Sequence, residues 1–277
     1  MFQTIKLLKR APLPPLFGLV VILAYLLVAL SAPIISPFGE SEIVGSEYEP
    51  WGNQFLLGTD ALGRDMASRL IYGARNSVGI AIVTTTLTFL LGAIIGLLAG
   101  ALGGWVDQIL SRIIDILMSI PPLIFALLIL AILGTSITTL ILTIAVLYCT
   151  RVYRIARAVA ANIVVMDYCE VAKLRGEGIW WIILHEILPN STAPLVVEFG
   201  LRFCFVFLFI SSLSFLGLGI QPPAADWGSM VRENASLITF GDITPILPAG
   251  AIALLAVAIN LVIDWISAVR STKNRIA

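Results

Sequence analysis

The chain has 277 residues, of which 59% are hydrophobic and 12% charged, with a mean hydropathy of +1.00. Soluble domains carry about twice that share of charge, so a water-soluble fold is excluded and the chain belongs in a bilayer. The formal net charge of zero gives no pointer to nucleic acid or another polyanion, and a single histidine, His185, excludes a multi-histidine metal centre.

Crossing a membrane takes roughly 20 apolar residues, and six stretches qualify, so the expected fold class is an all-α membrane protein with six transmembrane helices. A short N-terminal stretch, 1–15, carries Lys6, Lys9 and Arg10 and leads into the first helix at 16–36. That run is too long for a signal peptide and has no small-residue cleavage site, so it reads as an uncleaved anchor. Residues 37–76 are polar, with Pro37, Pro50 and several glycines, and read as an extramembrane segment ending in a short amphipathic helix. The core, 77–270, holds spans at about 77–102, 109–133, 136–155, 193–216 and 246–269. Between the spans lie a charged stretch at 166–190 and a loop at 217–242, and a tail at 271–277 closes the chain. The cysteines Cys149, Cys169 and Cys204 are scattered and read as small apolar residues.

Positive charge sets the orientation. Lys6, Lys9, Arg10, Arg112, Arg151, Arg154, Arg157, Lys173, Arg175, Arg270, Lys273 and Arg275 fall on one side, and only Arg64, Arg69, Arg75 and Arg232 on the other. Both termini and the 166–190 stretch are therefore expected in the cytosol, with 37–76 and 217–242 facing outward.

Four groups of residues stand out. In the cytosolic stretch, Glu170-Val171-Ala172 is followed after three residues by Gly176 and later by Leu188-Pro189. Ala172 is small enough for close helix packing, Gly176 permits a sharp turn, and Pro189 suits a helix start, where its missing N–H costs nothing. In the outer segment, Leu57-Gly58-Thr59-Asp60-Ala61-Leu62-Gly63-Arg64-Asp65 precedes Ser68-Arg69. Gly58 and Gly63 permit turns and Asp65 is placed to cap a helix over 66–72; the alternating carboxylates of an EF-hand are absent. Within the membrane, Glu198 and Arg202 are spaced for an i,i+4 ion pair, and Arg112 and Asp115 for an i,i+3 pair. Pro121 and Pro122 sit mid-span, where each removes a donor and crowds the preceding turn. Their kink and the Glu198/Arg202 pair are candidates for lining a substrate route; mutual helix pairing is the alternative for the two charges. Trp180 and Trp181 read as interface markers.

The cytosolic motif resembles the coupling motif of ABC-importer permeases, with Val171 at its second alanine position and Glu186 where an apolar residue usually precedes the proline by three. The outer motif resembles the hallmark of the C-type permeases of dipeptide, oligopeptide and nickel importers. Ser214-Phe215-Leu216-Gly217-Leu218-Gly219 and Ala225-Asp226-Trp227-Gly228 resemble that family's exit from the fifth span. The likeness runs from Leu57 onward. It implies a type I ABC importer permease fold forming half of a translocation pathway, with di- or oligopeptides favoured over nickel, opines or other small solutes. Glu170, Val171, Ala172, Gly176, Leu188 and Pro189 would meet an ATPase. Implied partners are a homologous second permease, two ATPase subunits that bind ATP and Mg, and a periplasmic or lipid-anchored substrate-binding protein, in a bacterial inner membrane. The chain itself binds no cofactor on this reading, for none of its lysines (Lys6, Lys9, Lys173, Lys273) follows a glycine as a Walker loop requires. The rivals are a secondary transporter, which would show internal repeats or an intramembrane carboxylate or histidine relay, and a membrane-embedded enzyme, for which no nucleophile–base set assembles.

Overall fold

The computed structural model describes residues 12–274, with side chains as far as Val269. Lys6, Lys9, Arg10 and Arg275 lie outside the described residues, as do most of the 1–15 stretch and the end of the 271–277 tail.

Helix α1 (Leu13–Ile35) opens on prolines in its first turn, where the missing N–H groups would be unpaired anyway. Helix α2 (Met66–Gly73) passes through a π turn (Ala74–Val78) straight into α3 (Gly79–Leu102). The short amphipathic helix expected at the end of 37–76 and the span expected from 77 are therefore continuous, and Met66–Leu102 is one 37-residue helix. The π turn absorbs the change of register without a break.

The expected third span is two helices, α4 (Gly104–Ser119) and α5 (Pro122–Leu133), bent by 85°. Pro121 and Pro122 supply the cause, because neither donates to the preceding turn and Ile120 takes an extended backbone (φ −87°, ψ 129°). Helix α6 (Ile137–Ile163) continues two turns past its expected end at 155. Partners for its basic residues account for the extension: Arg157 pairs with Asp107, and Arg154 with Asp115 at 2.8 Å. Asp115 thus binds across to α6 rather than along its own helix to Arg112, correcting the expected i,i+3 pair.

Helices α7 (Asp167–Leu174) and α8 (Ile179–Ile182) follow, then a second π turn (Ile183–Ile187) and α9 (Leu188–Phe215). The expected outer loop 217–242 contains helix α10 (Trp227–Asn234), capped by Asp226, and a 3-10 turn (Ala235–Phe240). Helix α11 (Ile246–Asn274) ends the described chain. Among the described residues, five helices are long and apolar enough to cross a membrane, and the α4–α5 pair makes a sixth crossing if counted as one broken span.

The chain divides into two compact units. One comprises Met1–Ile82, Leu133–Leu140 and Cys204–Ala277. There α1 lies so close to α11 that a Cβ on Gly18 would stand 2.5 Å from the Ala258 carbonyl oxygen. Tyr25 donates a hydrogen bond to Ala251 O (3.1 Å) and meets the Trp227 ring edge-on at 5.4 Å.

The other unit comprises Val83–Ile132 and Ile141–Phe203. Its spine is a ladder of glycines one turn apart on α3. A Cβ on Gly92, Gly96 or Gly100 would lie 2.5, 2.6 and 2.5 Å from the carbonyl oxygens of Cys149, Tyr153 and Arg157 on α6. Without lipid-phase hydrophobic gain between helices, such backbone-to-backbone contact is what holds a membrane helix pair together.

Candidate functional site

The motif at 166–190 folds into a helix-turn-helix with two unlike faces. Asp167 and Glu170 occupy the first turn of α7 and Lys173 the last, each favourable to the helix dipole. Cys169 and Ala172, three residues apart, are fully buried against Ile182, Ile183 and Ile187 and against Ala156, Ala160 and Ile163 of α6. A larger side chain at 172 would push α7 off this floor. Burial pushes the Cys169 thiol up, which leaves it protonated and inert. On the opposite face Glu170 and Val171 are exposed, and Leu174 is 82% exposed, forming an apolar ridge with an acidic flank.

Gly176 ends the helix at φ 82°. Its N–H donates to Lys173 O at 2.9 Å and that of Glu177 to Ala172 O at 3.2 Å, the paired bonds of a Schellman turn. A Cβ here would meet nothing within 4 Å, so glycine is required by the left-handed backbone and not by crowding. After the turn, Trp181 stacks on His185 at 4.6 Å, and the Arg175 guanidinium lies over the Trp181 ring at 5.3 Å. Trp181 is held in this stack, while Trp180 is exposed.

Leu188 and Pro189 do not begin a new helix. The Leu188 N–H donates to Ile183 O, five residues back, so the helix runs through the π turn into α9. Proline in a helix interior clashes with the carbonyl four residues before it, and the wider turn immediately upstream of Pro189 relieves that contact. Proline at a helix start is corrected to proline tolerated by a π turn.

The motif at 57–69 is an ionic knot with Asp60 and both arginines buried. Asp60 accepts from the backbone N–H of Leu62 (2.9 Å) and Arg64 (3.0 Å) through one oxygen and from Arg64 Nε (2.7 Å) through the other. Arg69, 1% exposed, sets its Nε 3.4 Å from the same Asp60 oxygen. Both guanidinium groups reach Glu233 of α10, at 3.3 and 3.2 Å. Two cations thus face two anions. Thr59 accepts from Glu49 N–H and donates to Ser46 O, both at 2.7 Å. Asp65 caps α2 by accepting from Ser68 N–H at 2.7 Å, while Gly58 and Gly63 both adopt φ 72°. Further ties run to α10: Ser77 donates to Asp226 (2.7 Å), Trp227 Nε1 to Leu70 O (3.0 Å), and Glu40 accepts from Asn76 and Ala225 N–H. Burial pushes the Asp226 carboxyl up, against hydrogen bonds from Ser229 and Ser77 that favour its anion. Glu233 was not singled out from the sequence; two buried arginines demanding a second carboxylate are the signal that points to it.

In the membrane, Glu198 accepts from Arg202 Nε at 3.0 Å and Nη2 at 2.5 Å, and both residues are buried, at 3% and 8% exposure. The guanidinium also lies over the Tyr148 ring of α6, 5.7 Å from its centre. One turn away Phe199 meets Phe89 edge-on at 5.3 Å. The pair is thus enclosed by neighbouring helices of its unit, and Pro121 and Pro122 mark the α4–α5 bend.

The chain matches the model of the family described as "Binding-protein-dependent transport system inner membrane component" over residues 92–275. It is 33% identical to the dipeptide transport system permease protein DppC of Alkalihalophilus pseudofirmus, over 95% of this chain and 86% of that one. It is 36% identical to the di/tripeptide transport system permease protein DppC of Pseudomonas aeruginosa, over 89% and 84% of the two chains. Identity is also 36% with the glutathione transport system permease protein GsiD of Pectobacterium atrosepticum, over 75% and 69%. The fold is similar to a chain in the crystal structure of an amino acid ABC transporter with histidines, with TM-score 0.52 and 18% identity over 72% of this chain and 92% of that one. The chain therefore belongs to the binding-protein-dependent transport system inner membrane components, as a multi-pass ABC importer permease of the type I fold and a non-catalytic transport subunit.

Proposed function

We propose that this chain forms half of the translocation pathway of an ATP-driven importer of di- or oligopeptides, and that α7 with the turn at Gly176 is where an ATPase docks. The observation that carries the docking assignment is the two-faced α7. Cys169 and Ala172 anchor it while Glu170, Val171 and Leu174 stand free. The peptide assignment rests on the substrates named for the relatives above. Both termini and α7 lie in the cytosol on the charge count. Two ATPase subunits carry ATP and Mg, a second, homologous permease completes the pore, and a separate binding protein delivers the cargo. Leu188 and Pro189 serve the docking unit by fixing the helix that supports it.

Co-expression tests this directly. The tagged chain is expected to recover a different permease and ATPase subunits in one complex, and vigorous ATP hydrolysis or peptide flux from the pure chain in liposomes would overturn the reading. Orientation is tested in a cysteine-free background: Ser46→Cys should react with impermeant maleimide in whole cells and Lys173→Cys should not.

A further inference from the structure

We infer that Trp181 is a positioning residue for coupling: through Arg175 it clasps the end of α7 to the long helix that becomes α9, sets the angle at which α7 is presented, and passes movement of α7 to that helix. The angle stands on geometry alone, and the coupling rests on the docking reading above.

The link between the two arms is open. Residues 175–178 join α7 to α8, and the paired bonds of the Schellman turn hold this link only as far as Glu177. Gly178, which follows, takes an extended backbone (φ −72°, ψ 160°), and a Cβ on either Gly176 or Gly178 would meet nothing within 4 Å. Two glycines in open space put little steric limit on rotation about the link. Side chains must therefore set the angle between α7 and α8.

The buried floor supplies adhesion without direction. Cys169 and Ala172 rest on Ile182, Ile183 and Ile187, but the gain from burying apolar surface is non-directional. Side chains as short as Cys and Ala also give little leverage against tilting.

The aromatic stack supplies what the floor lacks. Arg175 stands at the C-cap of α7 and has no carboxylate partner among the described residues. Its guanidinium lies over the Trp181 ring, 5.3 Å from the centre, inside the roughly 6 Å reach of a cation–π contact, whose attraction comes from the ring face and so depends on orientation. Trp181 is fixed in turn. His185 stacks on it at 4.6 Å with the ring planes 15° apart, and His185 Nδ1 donates to Trp181 O at 3.1 Å. Trp181 and His185 both belong to Ile179–Phe215, a single 37-residue helix. A tilt of α7 that keeps the Arg175 contact carries the start of that helix with it.

The first arm of the test reads the angle. In the assembled transporter with Cys149, Cys169 and Cys204 replaced by alanine, spin labels at Lys173→Cys and Asn190→Cys, both exposed positions, should give one narrow distance distribution. Adding Arg175→Gln should widen it at least twofold, and adding Arg175→Lys should not. An unchanged width with Arg175→Gln would overturn the inference.

The second arm reads coupling, as peptide taken up per ATP hydrolysed. Arg175→Gln and Trp181→Leu should each lower that ratio at least fivefold, while the ATPase recovered with the tagged chain stays within twofold of wild type. Arg175→Lys and Trp181→Phe, which keep a cation and a ring, should retain at least half of the ratio. Because residues in contact are not additive, the double variant should do no worse than the poorer single one. Losses that multiply would show two separate roles, and weaker ATPase recovery would show that these side chains meet the ATPase itself; each overturns the inference. Where Trp181→Leu fails to insert, the exposed Arg175→Gln carries the test. Glu170→Lys in the same assay separates the two readings: wild-type coupling there would sink the docking assignment, whereas uncoupling there with intact coupling in the stack variants would sink only the role of Trp181.

Discussion

The ionic knot around Asp60 and the helix-turn-helix built on α7 hold their shapes by opposite means. Around Asp60 the polar groups are inside: two arginines face two carboxylates, and a cap, an Asx turn and a threonine bridge tie the loop backbone. Around α7 the polar groups are outside, and the anchor is a floor of Cys, Ala and Ile. A conspicuous charged motif can thus be structural, while the surface proposed for docking is marked by no more than a bland exposed leucine. Motif chemistry has to be read with burial before it becomes function.

The largest effect should come from breaking the knot. Arg69→Met leaves Asp60 and Glu233 with one guanidinium between them, and stripping one partner from a buried ion pair costs about 3–5 kcal/mol. The variant should show a clear drop in thermal unfolding midpoint in detergent and in membrane-inserted protein. An unchanged midpoint would make the knot ornamental.

Next comes Gly176→Val. A left-handed backbone costs a side-chain-bearing residue about 1–2 kcal/mol, and the strain falls on a turn with open space around it. Insertion should be normal while peptide uptake falls at least tenfold relative to ATP hydrolysis; Gly176→Asn should recover part of it. Wild-type coupling in the valine variant would remove the turn from the mechanism.

Glu170→Lys should be smaller still. The side chain is exposed, so stability should stay within about 0.5 kcal/mol, while uptake drops several-fold and ATPase co-purification weakens. The smallest change is expected from Val171→Ala on the same ridge, with uptake within twofold of wild type; a larger loss would show that the valine itself fills a pocket on the ATPase.

Features set by near neighbours are legible in the sequence, and those set by distant partners are not. Hydropathy located the long apolar runs, and short-range chemistry anticipated the cap by Asp65 and the turn at Gly176, because both depend on neighbours a few residues away. The π turns left no trace, since one extra residue in a helix changes neither composition nor hydropathy, and Pro189 was consequently set at a helix start. Asp115 was matched to Arg112 by proximity along the chain, whereas its partner Arg154 is 39 residues away. Glu233 was missed for the same reason, standing 164 residues from Arg69.

The glycine ladder between α3 and α6 has a mechanical meaning. Three successive turns of backbone-on-backbone contact leave no side-chain layer to slide or compress, and close-packed interiors transmit strain instead of absorbing it. Ile163 at the end of α6 is separated from α7 by only three residues, and α7 is bedded on that same end through Ala156 and Ala160. A force applied to α7 therefore enters the bilayer through a doubled beam. Its stroke is set by how far two helices tilt together, and each added Cβ at Gly92, Gly96 or Gly100 would act as a shim that introduces lost motion at the joint.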